Sequence, residues 1–258
     1  MLLPVLYIVN QAFKPLDELF RFPPTFIVED PTLRNFRAIW FLSSTTGVPM
    51  IRYLINTIIV TVTTVSLTIF LTILSAYALS KKRFRAKKWL FNVNQAALMF
   101  VPIAVMVPRY LVVVNTGLDN SMLAHILPML AMPVGLFLVK QFIDQVPDSL
   151  LEAAKIDGAG ELATITKVVM PLIRPAIATV GILSFQAVWN ATESSNIYVV
   201  DDTMKTFAFY LNTFASFNTP ATAGISAAAS LILFMPNMVI FILLQSRVMN
   251  TMSYSGIK

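Results

Sequence analysis

Residues 53–79 read YLINTIIVTVTTVSLTIFLTILSAYAL, a stretch rich in isoleucine, valine, leucine and threonine that contains no charged side chain. A helix needs about 20 predominantly apolar residues to cross the hydrocarbon core of a bilayer. This stretch is therefore long enough to span a membrane with some tilt. It predicts an all-α membrane protein.

The composition of the whole chain also requires a membrane. Of its 258 residues, 57% are hydrophobic and only 12% are charged, and the mean hydropathy is +0.73. An average soluble domain has about 25% charged residues. We predict a single transmembrane domain over residues 1–258, with spans at 51–79, 91–113, 122–139, 175–195 and 221–244.

The N-terminal run, residues 1–13, is apolar but too short to cross a membrane alone. It lacks the basic segment that begins a secretory signal peptide. We therefore expect it to be the outer part of a first span whose beginning is missing here. This expectation raises the total to six spans and makes residues 14–50 an extracytoplasmic segment.

The loop between the first two complete spans sets the orientation. Residues 80–90 contain no acid and six basic residues, Lys81, Lys82, Arg83, Arg85, Lys87 and Lys88. Cytoplasmic loops of membrane proteins carry such an excess of lysine and arginine. The loop is therefore predicted to be cytoplasmic, which also places residues 144–174 and the C-terminus inside the cell. Nucleic-acid binding is the alternative interpretation, and a cytoplasmic loop beside lipid explains the charges without it.

Residues 144–174 contain a short helix and turn of water-exposed character between two spans. Ser149 and Glu152 fit the S-x-x-E capping box, which would place Glu152 in the first helical turn. Asp157 and Gly158 are expected to end this helix, because glycine tolerates a left-handed backbone. A second helix is predicted from about Glu161 to Met170. The segment either presents a surface to a soluble partner or forms an interfacial hairpin that holds the spans together.

The sequence of this segment resembles a known signature. Glu152-Ala153-Ala154-x-x-Asp157-Gly158-Ala159, followed by Pro171, Pro175, Phe185 and Trp189-Asn190, is similar to the EAA motif. This motif belongs to permease subunits of binding-protein-dependent ABC importers, and the chain is most similar to the maltose-type second permease of the sugar branch. Further matches lie at Phe13–Phe20, Pro23-Pro24, Thr32–Phe36, Pro236, Phe241, Gln245 and Ser255–Lys258, so the resemblance covers nearly the whole chain.

The resemblance implies a fold and a set of partners. The fold is the polytopic helical bundle of a type I ABC importer permease. The partners are a second homologous permease, two copies of a cytoplasmic ATPase, an extracytoplasmic solute-binding protein, a sugar or oligosaccharide, and membrane lipid. The helix that carries Glu152, Ala153, Ala154, Asp157, Gly158 and Ala159 would couple this chain to the ATPase. ATP and magnesium would be bound by the ATPases, since this sequence has no G-x-x-x-x-G-K-[ST] motif.

The sequence contains no cysteine and a single histidine, His125, which fits a packing or pathway residue better than a metal ligand. These observations predict that the chain is not itself an enzyme. Its expected place is the cell membrane of a bacterium or archaeon, crossed several times.

The fifth predicted span is unusually polar. Gln186, Asn190 and Glu193 have the i, i+4, i+7 spacing of one helix face, and Trp189 lies among them. Polar side chains at membrane depth are costly, so they face an aqueous pathway or a partner helix. We predict that these four residues line the solute pathway. The alternatives are hydrogen bonding between helices, or the end of the span emerging into water. In the maltose-type systems the other permease is thought to hold the sugar, so this chain need not contact it.

The loop after this span is predicted to meet the binding protein through Asn196, Asp201 and Asp202, with a solvated connector as the alternative. Three alternatives to the sugar importer also stay open. They are an ABC permease for another solute such as a polyamine or phosphate, an ion-coupled carrier, and a membrane scaffold. The sequence does not identify the sugar.

Overall fold

The computed structural model describes residues 3–23, 25–42, 47–215 and 220–252. Two of the predicted matches to the family, Pro24 and Ser255–Lys258, lie outside these residues. Parts of the predicted extracytoplasmic segment 14–50 and of the loop after the fifth span also lie outside them. Within the described residues the secondary structure is entirely helical. The helices are α1 Leu3–Phe13, α2 Leu16–Leu19, α3 Arg34–Leu42, α4 Met50–Lys81, α5 Lys87–Ala97, α6 Met106–Asn115, α7 Leu123–Ile126, α8 Pro133–Asp144, α9 Asp148–Ile156, α10 Glu161–Thr164, α11 Met170–Leu172, α12 Arg174–Trp189, α13 Glu193–Ile197, α14 Phe207–Ala215 and α15 Pro220–Met252.

Shorter helical turns join several of these helices. They are the 3-10 turns Pro102–Val105, Leu127–Met129 and Asp202–Met204, and the π-helical stretch Ile165–Val169 between α10 and α11. The expected all-α class is confirmed.

Two of the described helices are long and apolar enough to cross a membrane unbroken, over Met50–Lys81 and Thr222–Gln245. The predicted spans 51–79 and 221–244 lie within α4 and α15. Three further stretches qualify only as bent pairs of helices, so the described residues provide up to five spans.

Proline positions mark two of these bends. Pro102 and Pro133 each begin a helical turn, and the residue before each has a non-helical backbone. A proline disfavours the helical conformation of the preceding residue and offers no N–H to the previous turn. The helices before and after these breaks meet at 111° and 45°, and the pair Glu161–Leu172 and Arg174–Ile197 meets at 86°.

The chain forms two compact units. The first comprises Met1–Thr61, Val113–His125 and Trp189–Val239, and the second comprises Val62–Val112, Ile126–Val188 and Ile240–Lys258. Helix α4 contributes residues to both.

The second unit is organised around an apolar core drawn from α4, α8, the π-helical stretch and α12. Its buried members are Ile73, Ala76, Tyr77, Val139, Ile143, Val146, Ile165, Val169, Ile173, Ala176 and Val180. In lipid such packing gains van der Waals contact, and at the water surface it also removes apolar area from water. This core therefore fixes both ends of the predicted cytoplasmic segment, residues 144–174, on the rest of the unit.

The N-terminal part of the first unit is built around buried polar side chains. The Lys14 ammonium donates to the carbonyl oxygen of Thr25, and the Glu18 carboxylate accepts from the backbone N–H groups of Glu29 and Asp30. The Asn35 amide donates to two backbone carbonyls, those of Ala12 and Lys14, each at 2.9 Å. These bonds give residues 14–23 and 25–35 a defined conformation.

Candidate functional site

Helix α9 carries the first residues of the EAA-like motif, and it begins two residues earlier than expected. Its first residue is Asp148, and Pro147 occupies the N-cap position without a side-chain hydrogen bond. The predicted Ser149–Glu152 capping box is therefore wrong. The extended backbone of Pro147 starts the helix, so Ser149 is already inside it and Glu152 lies in the second turn.

The other end of α9 has the predicted form. Asp157 is the C-cap residue and Gly158 has a φ of +80°. The N–H of Gly158 donates to the carbonyl of Lys155 at 3.1 Å, and the N–H of Ala159 donates to the carbonyl of Ala154 at 2.9 Å. This pair of bonds is the Schellman motif, which satisfies the last carbonyls of a helix through a left-handed residue.

No residue of α9 is buried. Glu152, Ala153, Asp157 and Gly158 are exposed, and Ala154 and Ala159 are half-buried. Leu151 is the α9 residue that packs on the core of the second unit. Ile156 is 86% exposed and Leu162, just beyond the turn, is 68% exposed. The six predicted coupling residues thus lie together on an accessible helix and turn with apolar side chains beside them, a pattern typical of a contact surface.

Polar links tie this segment to the end of α4. The Tyr77 hydroxyl donates to Glu161 Oε2 at 3.2 Å, and the Lys82 ammonium donates to Glu161 Oε1. Its hydrogen bond to Lys82 holds the pKa of the Glu161 carboxyl below its usual range. Lys81 Nζ lies 2.7 Å from Asp148 Oδ1, at the first residue of α9.

These links were not predicted, because their partners are more than sixty residues apart in the chain. In the sequence, the basic run at 80–90 is the one feature that points to these links. Its charges indicate the membrane orientation and do not identify particular acidic partners.

A cavity of about 740 Å³ lies between α9 and the end of α4 within the second unit. Charged and polar side chains dominate its wall. The lining residues are Tyr77, Ser80, Lys81, Lys82, Arg83, Lys87, Asp144, Asp148, Leu151, Glu152, Lys155, Ala159, Gly160, Glu161 and Thr164.

The predicted polar face of the fifth span is wrong as a continuous helix face. Helix α12 ends at Trp189, Asn190 lies in a turn, and Glu193 begins the separate helix α13. Asparagine and threonine side chains compete for backbone hydrogen bonds and weaken a helix interior, and both occur in the break between α12 and α13. Gln186 lies in α12 and is half-buried.

Three of the predicted pathway side chains form bonds within the first unit. Trp189 Nε1 donates to the carbonyl of Leu233 at 3.1 Å, and Asn190 exchanges amide hydrogen bonds with Asn237. Leu233 and Asn237 lie three residues before and one residue after Pro236 in α15, and this proline has no N–H to donate to the carbonyl of Ile232. Glu193 accepts from the Tyr198 hydroxyl at 2.9 Å.

The loop after α13 is held from two sides within the first unit. Asn120 Oδ1 accepts from the N–H groups of Val200 and Asp201 at 3.1 and 2.9 Å. From α4, Asn56 donates to the carbonyls of Thr203 and Lys205 at 2.8 and 3.0 Å. The loop therefore has a fixed backbone. Of the three residues predicted to meet the binding protein, Asp201 and Asp202 are exposed on this loop, and Asn196 is exposed on the preceding helix α13.

His125 also holds the loop that follows α13. It is 1% exposed, with Nε2 3.1 Å from the carbonyl oxygen of Met204 and Nδ1 2.6 Å from Ser194 Oγ. A carbonyl can only accept, so Nε2 carries the hydrogen and the Ser194 hydroxyl donates to Nδ1 of the neutral ring. The packing alternative for His125 fits this geometry.

Comparison with known proteins gives the family. The sequence profile described as "Binding-protein-dependent transport system inner membrane component" matches residues 68–247, which include α9, its turn and α12. The chain belongs to this family. It is therefore a multi-pass component of a cell-membrane transport system.

Two curated members of the family illustrate its extent. The inner membrane ABC transporter permease protein YcjP of Escherichia coli (strain K12) is 27% identical over all of this chain and 91% of its own length. The melibiose/raffinose/stachyose import permease protein MelC of Bacillus subtilis (strain 168) is 31% identical over 89% of this chain and 82% of its own length.

Among solved structures, one chain of a bacterial ABC transporter involved in the import of the acidic polysaccharide alginate has the same fold. Its TM-score is 0.81 at 20% identity, over 95% of this chain and 90% of that chain. The expected importer-permease fold is confirmed.

Proposed function

We propose that this chain forms half of the translocation pathway of an ATP-driven importer, for a sugar or oligosaccharide delivered by an extracytoplasmic binding protein. The other half is a second, homologous permease. The observation that carries the proposal is the exposed helix α9 with its glycine-closed turn, inside the region that matches the family.

Coupling to a cytoplasmic ATPase takes place through residues 149–160 in this proposal. The two alanines, Ala153 and Ala154, allow close approach of a partner's backbone, and Glu152 offers a charge at the same surface. The apolar side chain of Ile156 supplies burial on contact. Two ATPase copies bind the ATP and magnesium, and this chain contributes no ligand to either. Residues 144–174 and the C-terminus lie in the cytoplasm.

The sugar assignment rests on the relatives. MelC is named for the import of melibiose, raffinose and stachyose, and a second relative from Agrobacterium fabrum is named for sulfoquinovosyl glycerol transport. Both names refer to sugars or sugar derivatives. A binding protein that presents such a solute would dock on the side of Asn196, Asp201 and Asp202.

Reconstitution tests the proposal. The chain is co-expressed with its cognate second permease and ATPase, purified in detergent and placed in proteoliposomes with the binding protein outside. We expect ATPase and second permease to copurify, and uptake of a labelled oligosaccharide to require ATP and every component. Uptake by this chain alone, driven by a proton or sodium gradient, would overturn the proposal in favour of an ion-coupled carrier.

The solute class is tested separately on the binding protein. Its thermal stability is measured with a panel of sugars, polyamines and phosphate, because a ligand stabilises the folded state that binds it. Stabilisation by phosphate or a polyamine, and by no sugar, would replace the sugar with that solute.

A further inference from the structure

The segment from Asp148 to Glu161, which contains α9 and the glycine turn, is attached to the end of α4 at both of its ends. At the first residue of α9, Asp148 is ion-paired to Lys81, whose ammonium also donates to the carbonyl of Val146 at 2.6 Å. Just beyond the glycine turn, Glu161 is bonded to both Tyr77 and Lys82. All these residues belong to the second unit.

The link at Glu161 has a definite geometry, because its two carboxylate oxygens have different partners. Oε2 accepts from the hydroxyl of Tyr77, which is 6% exposed and belongs to the apolar core. Oε1 accepts from Lys82, one residue beyond the end of α4. A carboxylate held by two donors cannot rotate without breaking one bond. Glu161 therefore has a defined position relative to α4.

Through the backbone alone, movement of α9 would reach α12 rather than α4. Past Glu161 the backbone runs through the π-helical stretch and the bend at Ile173 into α12. The links at Asp148 and Glu161 provide a second route, which enters α4 directly.

We propose that Glu161 is a positioning residue that passes displacement of α9 to the membrane span α4 through Lys82 and Tyr77, with Asp148–Lys81 as the second point of attachment. The inference rests on the proposed function, in which α9 is the surface driven by the ATPase. The inference identifies α4 as the span that moves with α9, and Glu161, Lys82 and Tyr77 as the residues that connect the two helices.

The Lys82–Glu161 ion pair contributes little to folding stability, so a role in transmission can be tested separately from a role in folding. The Lys82 and Glu161 side chains are 44% and 64% exposed, and an ion pair at such exposure contributes little to stability. Its loss should leave the core of the second unit intact. An effect on transport without an effect on stability would therefore report on transmission rather than on folding.

The first experiment is a charge swap in the assembled importer in proteoliposomes. Lys82→Glu, Glu161→Lys and the double variant K82E/E161K are compared for ATPase copurification and for solute imported per ATP hydrolysed. We expect copurification unchanged and the import ratio lowered about fivefold in each single variant. The double variant should restore part of the ratio, because it re-forms the ion pair but a lysine at position 161 cannot accept from the Tyr77 hydroxyl. The matched control is the swap of Arg21 and Glu29, an ion pair of similar exposure in the N-terminal segment, which should leave the ratio unchanged.

The contrary outcomes are distinct. A wild-type import ratio in Glu161→Lys would overturn the inference. So would equal losses of copurification in the single and double variants, which would mean a general structural role. Absence of the ATPase from the wild-type preparation would instead contradict the proposed function itself.

A measurement of the distance between the end of α4 and α9 adds a result that a purely structural role of Glu161 would not change. The sequence contains no cysteine, so spin labels at introduced cysteines Arg83→Cys and Lys155→Cys report without background. Both native side chains are exposed, one after α4 and one on α9. We expect the distance to stay constant when ATP binds to the wild-type importer and to change when ATP binds to the Glu161→Lys importer. A change of equal size in both would overturn the inference.

Discussion

The backbone N–H of Ala159 donates to the carbonyl oxygen of Ala154 at 2.9 Å, and Gly158, with a φ of +80°, makes this bond reachable. The bond closes α9 and sets the direction in which the chain leaves it. The exposed face of α9 and the start of the next helix therefore have a fixed relation. A change in the backbone at Gly158 should alter that relation before it alters any packed contact.

Replacement of Gly158 by valine should uncouple the importer. A Cβ at this position meets no atom within 4 Å, so the cost comes only from the left-handed backbone, which a β-branched residue adopts poorly. We expect ATPase copurification and uptake to fall at least about tenfold while membrane insertion is retained. Gly160→Ala is the matched control, because Gly160 has a φ of −69° and equally open surroundings. Equal effects of the two substitutions would contradict this explanation.

Charge reversal at Glu152 should act at the surface of α9. The side chain is exposed, so Glu152→Lys should leave thermal stability in detergent unchanged. We expect association with the ATPase to weaken about tenfold or more, because a like or unpaired charge is placed against the partner. Asp119→Lys makes the same change at an exposed site of the predicted outer side and should have no such effect. Normal uptake in both Gly158→Val and Glu152→Lys would rule out α9 as the coupling surface.

The features that sequence alone could predict are those that depend on local composition. The uncharged stretch at 53–79 became part of α4, and Asp157-Gly158 ended α9 as glycine chemistry requires. The start of α9 was misassigned because Pro147 and Ser149 are both credible N-terminal signals two residues apart. Only the surrounding structure decides between two such signals.

The remaining features depend on contacts between distant parts of the chain. The bond between His125 and Ser194 joins residues 69 positions apart, and the Tyr77–Glu161 bond joins residues 84 apart. The predicted polar face failed for a related reason. Regular spacing of Gln186, Asn190 and Glu193 assumed an unbroken helix, and the break after Trp189 separates them. Periodicity carries no information about a break that tertiary contacts stabilise.

The Asn190–Asn237 pair discriminates between pathway lining and bonding between helices. Their amides donate to each other at 3.4 and 3.1 Å. We expect Asn190→Ala and Asn237→Ala to be non-additive in thermal stability, with a coupling energy of about 0.6 kcal/mol, the usual size for such pairs in membrane proteins. The apparent KM for the solute should stay unchanged. Additive stabilities with an altered KM would favour the pathway assignment instead.

Gly224 in α15 allows the close approach of Asn35. A Cβ at Gly224 would lie 2.6 Å from Asn35 Nδ2 and 2.9 Å from its Cγ and Oδ1. Gly224→Ala should therefore displace the buried amide that donates to Ala12 and Lys14, and lower the stability of the N-terminal segment by about 1–3 kcal/mol for each bond lost. The measurement is thermal unfolding in detergent.

The control for Gly224 is Gly181→Ala in α12. There the new Cβ would make an ordinary contact at 3.6 Å with Ile69 Cδ1, and alanine favours a helix over glycine by about 1 kcal/mol. We expect Gly181→Ala to be neutral or stabilising. Addition of Asn35→Ala should cost little in the Gly224→Ala background, because the bonds are already lost. A Gly224→Ala protein as stable as wild type would show that Asn35 moves aside freely.

His125→Leu should loosen the loop that carries Asp201 and Asp202. Leucine fills a similar volume but removes the acceptor of the Ser194 hydroxyl and the donor to the Met204 carbonyl, and Ser194 is 6% exposed. A buried polar group left without its partner costs about 1–3 kcal/mol, so the loss should exceed that of Ser194→Ala, which removes one bond. Hydrogen exchange over residues 198–207 should rise more in His125→Leu than in Ser194→Ala, while exchange in α9, which belongs to the other unit, stays unchanged. Uniformly faster exchange along the chain would mean that His125 stabilises the whole fold rather than this loop.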